Sequence, residues 1–151
     1  MDRRNRTQWA ATYAVALELT RRDYEVGWPM GNAPVKDLIV RSPEGHDFFV
    51  DTKGGSYDLS RKGTSGYWHL CQARIVDPAK RRDNLFVIFV RIPTHDNEPL
   101  EPLEFFVLSN DDCISLYQQL LQKDRITADA PPGFPRDHLE GFKDAWKKLP
   151  K

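Results

Sequence analysis

The sequence predicts a layered α/β (α+β) domain in which helices flank a mixed sheet of about five strands. Helical and strand patterns follow one another in the order helix, three strands, an uncertain middle, two strands and two helices. The run at 85–92 is almost wholly apolar, as expected for a central strand. The chain has no internal repeat and no linker long enough to divide it. Residues 1–151 are therefore expected to form one domain.

A helix is predicted over 7–22, with Thr7 as its N-cap. Alanine and leucine recur at helical spacing, and the remaining positions are also rather apolar. We therefore expect this helix to be well covered. A short strand at 24–26 and a loop with two prolines follow it.

Two further strands, at 35–41 and 46–52, are joined by the turn sequence SPEG. Asp37 opens the first strand, and Asp51 and Lys53 close the second. Residues two apart on a strand share a face, so Asp51 and Lys53 should point the same way. Pairing of the strands as a hairpin would bring Asp37 near Asp51. Such a cluster is costly inside a fold unless it holds a metal or forms a closed ion-pair network, and both alternatives are open.

The second half begins with a polar loop and an aromatic stretch that fits either strand or helix. The predicted elements that follow have regular apolar patterns, and Ser109 caps the second of the helices. They are a helix over 70–80 up to Pro78, strands at 85–92 and 103–108, a helix over 111–123, a loop at 127–135 and a short helix over 138–148.

Composition excludes several classes of protein. The 22 basic and 22 acidic side chains cancel, so no overall basic field indicates nucleic acid. The two cysteines, Cys71 and Cys113, form neither a zinc motif nor a disulfide framework. No apolar run approaches the roughly 20 residues of a membrane helix, and the charged start MDRRNRTQW is unlike a signal peptide. We expect a soluble, cytoplasmic protein with no membrane association.

The motif Asp37-(13 residues)-Asp51-x-Lys53 resembles the PD-(D/E)XK nuclease superfamily, which includes restriction endonucleases and archaeal Holliday-junction resolvases. The segments KDLIV and FFVDTKG carry the resemblance, together with the preceding LTRRDYEV. It covers about residues 7–55. Lys36 stands where the motif has proline. The resemblance implies a restriction-endonuclease-like sheet and a metal-dependent endonuclease that hydrolyses phosphodiester bonds, with DNA as its expected substrate.

The resemblance also implies roles for these residues. Asp37, Asp51 and the backbone carbonyl of Thr52 would bind Mg²⁺ or Mn²⁺, because hard cations prefer oxygen ligands. The metal would lower the pKa of a bound water and neutralise charge on the phosphate. Lys53 would position that water, help to deprotonate it, or stabilise the pentavalent phosphorus.

Resolvase-like members often carry a glutamate in the first helix that completes the metal shell. The matching place here is Thr12, which cannot act as an anionic ligand. Gln8, one turn earlier, or Glu18, on another face, would have to substitute.

Candidate nucleic-acid contacts are less specific. Arg61 and Lys62 lie on the polar loop after the hairpin, where basic residues can reach phosphates. His69 could also contact phosphate, although a packed or surface histidine is the commoner case. Gln72 occupies a position where some members of the superfamily carry a glutamine in the catalytic core.

Two functions from different classes follow. The first is a DNA nuclease. Many members of the superfamily act as homodimers in which each protomer cuts one strand, so a homodimer is possible here. The second is a non-catalytic module that binds nucleic acid or protein on a degenerate nuclease fold, as an accessory or immunity-type protein does. Divalent-metal binding discriminates between them.

Overall fold

The computed structural model describes residues 2–31, 36–57, 67–69, 72–93, 102–123, 125–129 and 132–151. Two α-helices and seven strands occur in these ranges. The helices are α1 (Arg3–Thr20) and α2 (Asn110–Gln122). The strands are β1 (Glu25–Gly27), β2 (Leu38–Arg41), β3 (Asp47–Tyr57), β4 (Tyr67–His69), β5 (Leu85–Pro93), β6 (Glu104–Ser109) and β7 (Gly133–Pro135).

Five strands form one sheet in the order β1-β2-β3-β5-β6. Strands β3 and β5 are parallel, and the other neighbours are antiparallel. Helix α1 packs on one face through side chains such as Val15 and Leu19, and α2 packs on the other through side chains such as Leu120. This arrangement confirms the predicted mixed sheet of five strands flanked by helices. No helix within the described ranges is long and apolar enough to cross a bilayer.

Helix α1 begins four residues earlier than predicted, and its N-cap is Asp2, whose side chain accepts a hydrogen bond from the Asn5 amide at 2.9 Å. The inner face of the helix is buried against the sheet. The outer face carries the exposed side chains of Trp9, Tyr13 and Leu17. The expectation that this helix is well covered is therefore wrong for its outer face.

A glycine sets the distance between α1 and the sheet. A Cβ atom added at Gly54 of β3 would lie 2.5 Å from the carbonyl oxygen of Thr7 and 3.0 Å from Cβ of Ala11. Only glycine permits so close an approach of two backbones. The first turns of α1 are thereby held against the second half of β3.

The second half departs from prediction in three places. The helix over 70–80 is wrong, because 72–80 contains two short 3₁₀ turns, Ala73–Ile75 and Pro78–Lys80, the second capped by Asp77. The helix over 138–148 is also wrong, because this segment forms 3₁₀ turns and bonds to the edge of β6 through Lys143 and Asp144. The predicted loop at 127–135 contains β7, which pairs with β4 in a second small sheet.

Two predictions for the second half are confirmed. Strands β5 and β6 form an antiparallel pair as expected. Ser109 caps α2, and the cap is reciprocal because the Asp112 carboxylate accepts from the Ser109 amide.

Candidate active site

The register of the β2–β3 hairpin places Asp37 opposite Asp51. Leu38 pairs with Val50, and the amide of Asp37, one residue earlier, donates to the Val50 carbonyl at 2.9 Å. Thr52 faces α1, because its hydroxyl lies 2.7 Å from that of Thr12. Asp51 and Lys53 are paired with each other and point to the opposite face, as strand alternation requires.

The Asp37 carboxylate is held by its neighbours on β3 and α1. Its Oδ2 accepts from the backbone amide of Thr52 at 2.7 Å and from the Thr52 hydroxyl at 2.8 Å. The amide nitrogen of Gln8 lies 3.4 Å from the same oxygen. This set of donors fixes the orientation of the Asp37 carboxylate.

Asp51 is a buried acid beside both a cation and another acid. The residue is 2% exposed, and its Oδ1 accepts from Nζ of Lys53 at 3.0 Å. Burial raises the pKa of the Asp51 carboxyl, the Lys53 charge lowers it, and the Asp37 charge raises it. The net result is a pKa of about 6, above the ordinary 3.8. The two carboxyls are thus electrostatically coupled, an arrangement that a shared proton or a cation would stabilise.

One oxygen of Asp51 is left without a hydrogen bond. Oδ2 lies 2.9 Å from Nζ of Lys53 but accepts no hydrogen bond among the described residues, although it is buried. Buried carboxylate oxygens are usually satisfied by hydrogen bonds, so this exception is an observation that a functional role would explain.

Gln8 is the helix residue that reaches the carboxylates. Its Nε2 donates to the carbonyl oxygen of Thr52 at 2.8 Å, and its Oε1 accepts from the Gly54 amide at 3.2 Å. Thr12 lies one turn behind, where its hydroxyl donates to the Gln8 carbonyl at 3.1 Å and contacts the Thr52 hydroxyl but no carboxylate. The side chain of Glu18, the other residue considered, forms ion pairs with Arg21 and Arg22 at the end of α1.

These residues fit a hard divalent cation. In the described ranges no cluster of three or more His, Cys, Asp or Glu side chains occurs, and the carboxylates that these ranges offer at the site are those of Asp37 and Asp51. Mg²⁺ is commonly bound by one or two carboxylates with waters and phosphate oxygens completing the shell. Oδ2 of Asp51 contacts Lys53 at 2.9 Å but accepts no hydrogen bond in the described ranges, and the Thr52 carbonyl, which accepts from Gln8, has a second lone pair.

The predicted nucleic-acid contacts are scattered. Arg61 and Lys62 lie outside the described residues. His69 is the last residue of β4 and pairs with Gly133 of β7. Gln72 precedes the 3₁₀ turn at 73–75, and its Oε1 is buried with no hydrogen-bond partner in the described part of the chain.

Sequence reasoning missed a charged cluster on the same sheet face as Lys53. Glu104 accepts from Arg91 at 3.2 Å, from Arg136 at 3.0 Å and from Lys143 at 2.8 Å. Burial raises the pKa of Glu104, but the hydrogen bonds from Lys143 and Arg136 and the charges of Arg136 and Arg91 outweigh it and lower the pKa to about 2. Three cations surround this carboxylate, and Arg136 also pairs with Glu140 at 3.2 Å; we call these charged residues the border.

That border lies close to the acids along the sheet. Lys53 pairs with Phe89 of β5, and Arg91 follows two residues later on the same face. The one sequence signal for the cluster is the opposite charge of Arg91 and Glu104, which face each other across β5 and β6.

Comparison with known proteins gives a fold and no family. No family model matches the sequence, and no curated protein sequence matches it. Among solved structures, a bacterial homing endonuclease, I-Ssp6803I, is similar to this chain with a TM-score of 0.57 and 19% sequence identity, over 97% of this chain and 93% of that one. The two proteins share a fold across almost their whole lengths.

Proposed function

We propose that this protein is a metal-dependent nuclease of the PD-(D/E)XK type that hydrolyses phosphodiester bonds in DNA. The observation that carries the proposal is the buried Asp51 carboxylate, which faces Asp37, contacts Lys53 and leaves one oxygen without a hydrogen bond. The shared fold with a bacterial homing endonuclease supports it.

Asp37 and Asp51 would bind Mg²⁺ or Mn²⁺ on the face of the sheet that Lys53 shares. A bound metal would supply positive charge against the phosphate and lower the pKa of a water molecule. Binding requires Asp51 in its charged form, and a pKa of about 6 makes that form dominant at neutral pH. Three donors already fix the orientation of the Asp37 carboxylate.

In the hydrolysis, a water oxygen attacks phosphorus, the ester P–O bond breaks, and the proton lost by water is balanced by the proton gained by the departing oxygen. The ammonium group of Lys53 lies beside Asp51 and carries hydrogen-bond donors toward the same face. It would orient the attacking water or stabilise the charge that develops on the phosphoryl oxygens.

Contacts to the rest of the nucleic acid would come from basic residues around the site. Arg61 and Lys62 follow β3 in sequence, and the three cations of the border exceed its two acids by one charge. Local positive charge of this kind compensates for a net charge of zero, because phosphate contacts dominate affinity.

The test is cleavage of plasmid and oligonucleotide DNA by the purified chain with Mg²⁺, with Mn²⁺ and with EDTA. The proposal predicts cleavage that requires metal, is lost in Asp51→Asn and falls at least 100-fold in Lys53→Ala. Lys147→Ala, which changes an exposed lysine, is the matched control and should cleave as the wild type does. Absence of metal-dependent cleavage, or full activity of Lys53→Ala, would contradict the proposal.

A second function is favoured by the way the charged and polar groups of the site pair with one another. Lys53 pairs with Asp51, and the Gln8 amide donates to Asp37 and to the Thr52 carbonyl, as in an ion-pair and hydrogen-bond network. On this alternative the chain is a non-catalytic module that binds nucleic acid or protein. A folded chain that binds DNA without binding Mg²⁺ or Mn²⁺ would favour it over the nuclease.

A further inference from the structure

A cleft with basic side chains lies at the start of β5. Its volume is about 500 Å³. The described residues that line it are Arg74, Lys80, Arg81, Arg82 and Leu85. Leu85 belongs to the same buried cluster as Val87, which pairs with Asp51. The cleft therefore lies on the face of the sheet that carries Asp51, and none of its cations takes part in the candidate active site or the border.

Two of the four cations are compensated, and two are not. Lys80 and Arg81 form ion pairs with three acids, Asp77, Asp83 and Asp111. Arg74 and Arg82 are exposed, and neither side chain forms an ion pair or a hydrogen bond with any described residue. A guanidinium group carries five N–H donors in a planar fork that matches the oxygens of a phosphate. Two such groups without an acid make the cleft complementary to an anion.

A buried side chain holds the two walls of the cleft in place. Asn110 is 1% exposed, donates to the carbonyl of Ile75 at 2.6 Å and accepts from the amide of Arg82 at 2.8 Å. It thereby ties both the 3₁₀ turn that contains Arg74 and the backbone of Arg82 to the start of α2. The backbone positions of the two arginines are therefore set before a ligand binds, which lowers the entropy cost of binding.

The cleft lies close to the candidate active site. Leu85 pairs with Phe49, which precedes Asp51 by two residues on the same face of β3. Strand geometry makes this separation about 7 Å along the sheet and about 5 Å from one strand to the next. The backbone of Asp51 is thus roughly 9 Å from the backbone of Leu85 in the wall of the cleft.

A third cation lies beside Phe49, between the cleft and the acids. The ammonium group of Lys36 lies 3.8 Å from the centre of the Phe49 ring, and Lys36 directly precedes Asp37 in the chain. This ammonium group forms no ion pair within the described residues. We call Lys36, Arg74 and Arg82 the basic track.

We propose that the basic track binds consecutive phosphates of the nucleic-acid backbone, on one side of the phosphate that Asp37 and Asp51 would hold. The proposal rests on the proposed function, because it assigns contacts for the same substrate. A small anion needs donors that converge on one point. The cations of the track are instead spread from Phe49 on β3 to the cleft beside β5, as an extended chain of phosphates requires.

The track and the border flank the acids from opposite directions. On β5, Leu85 lies two residues before Val87, the partner of Asp51, and Arg91 of the border lies four residues after it. The two sets of cations are thus separated by roughly 20 Å of strand, the length of about six nucleotides of one nucleic-acid strand. A nucleic acid that contacts both sets passes the acids on its way.

Binding of a fluorescein-labelled DNA duplex to the full chain, followed by fluorescence anisotropy in EDTA, tests the proposal without cleavage. Arg74→Ala and Arg82→Ala should each raise the dissociation constant about 5-fold and reduce the dependence of log affinity on log salt by about 0.9. Arg82→Lys keeps the charge and should keep the salt dependence. Arg21→Ala removes an exposed arginine at the end of α1, on the other face of the sheet, and should change neither quantity.

Both arginines of the cleft are exposed, so their alanine variants should keep the melting temperature of the wild type. The same changes in DNA affinity are expected in an Asp51→Asn background, where cleavage plays no part. Metal-dependent cleavage together with wild-type affinity and salt dependence in both alanine variants would overturn the track and leave the nuclease proposal intact. DNA binding that depends on the track, without cleavage, would support the track and contradict the nuclease.

Titration with pyrophosphate separates a small anion from a backbone. Pyrophosphate binding that is lost in the Arg74→Ala, Arg82→Ala double variant, with DNA affinity unchanged, would assign the cleft to a small anion and overturn the proposal. A folded wild type that does not bind DNA would overturn it equally. A double variant whose DNA dissociation constant rises about 25-fold, the product of the two single effects, would support it.

Discussion

Nζ of Lys53 lies 3.0 Å from Oδ1 of Asp51, in a pair whose side chains are 10% and 2% exposed. A buried pair of this kind is costly to break, because removal of one partner leaves a charge without compensation. The pair can therefore be probed through stability as well as through activity.

Lys53→Met should lower the free energy of unfolding by about 3 kcal/mol at pH 8. Lys53 lowers the pKa of Asp51, so the Lys53→Met substitution raises that pKa further and leaves Asp51 neutral at pH 5. The decrease in unfolding free energy should accordingly be smaller at pH 5 than at pH 8. Urea denaturation at both values, with Lys147→Met as the control, measures the difference. An equal loss at the two values would contradict the coupling.

The pH dependence of stability isolates Asp51. Its pKa of about 6 in the folded protein exceeds the ordinary 3.8, so the folded state binds this proton more tightly than the unfolded state. The stabilisation of the folded state by this proton is fully present below pH 4 and is lost as pH rises through 6. It amounts to about 3 kcal/mol in total. Relative to Asp51→Asn, the wild type should lose this stability between pH 4 and pH 7 in the absence of divalent metal. A flat difference between the two proteins would refute the raised pKa.

Gly54→Ala tests the close contact between α1 and β3. The added methyl would meet the Thr7 carbonyl oxygen at 2.5 Å, so α1 must shift and carry Gln8 with it. Overpacking against backbone should cost about 3 kcal/mol of unfolding free energy. Gly141→Ala is the matched control, because nothing lies within 4 Å of the added atom and its effect should stay within about 0.5 kcal/mol. Comparable melting temperatures for the two variants would show that the contact is absent.

Glu104→Gln should destabilise the fold, because it leaves three cations without their shared carboxylate. Arg136 and Lys143 are about a third exposed, so solvent screening limits the loss to about 1–2 kcal/mol. The pKa of Glu104 is about 2 against an ordinary 4.5, so its contribution is present above pH 4.5 and is lost as pH falls toward 2. Glu44→Gln, at an exposed position outside the cluster, should change acid stability far less. Identical acid unfolding of the two variants would exclude the cluster as a stabilising unit.

The hairpin could be predicted from sequence because its signals are local. The short apolar runs at 38–40 and 48–50 and the turn at Pro43 predict the strands, and the register then places Asp37 opposite Asp51. The sequence could not predict that Gln8, and not Thr12, is the helix residue that contacts Asp37. That outcome depends on how closely α1 approaches Gly54. That distance is a tertiary property without a local pattern.

Misassigned elements have a similar cause. The segment 138–148 has apolar residues at helical spacing. However, Lys143 pairs with Phe106 and the Asp144 amide donates to the Phe105 carbonyl, so backbone bonds to the edge of β6 replace those of a helix. In the Glu104 cluster, the hydrogen bond between Lys143 and Glu104 joins residues 39 positions apart in the chain. Such pairings become visible only when the strand order is known.

The most direct measurement is calorimetric titration of the folded chain with Mg²⁺ and Mn²⁺ at neutral pH. The account predicts one site in the wild type, loss of binding in Asp51→Asn and in Asp37→Asn, and unchanged binding in Asp129→Asn, which alters an exposed acid elsewhere. Binding that survives Asp51→Asn, or a folded wild type that binds neither ion, would contradict it.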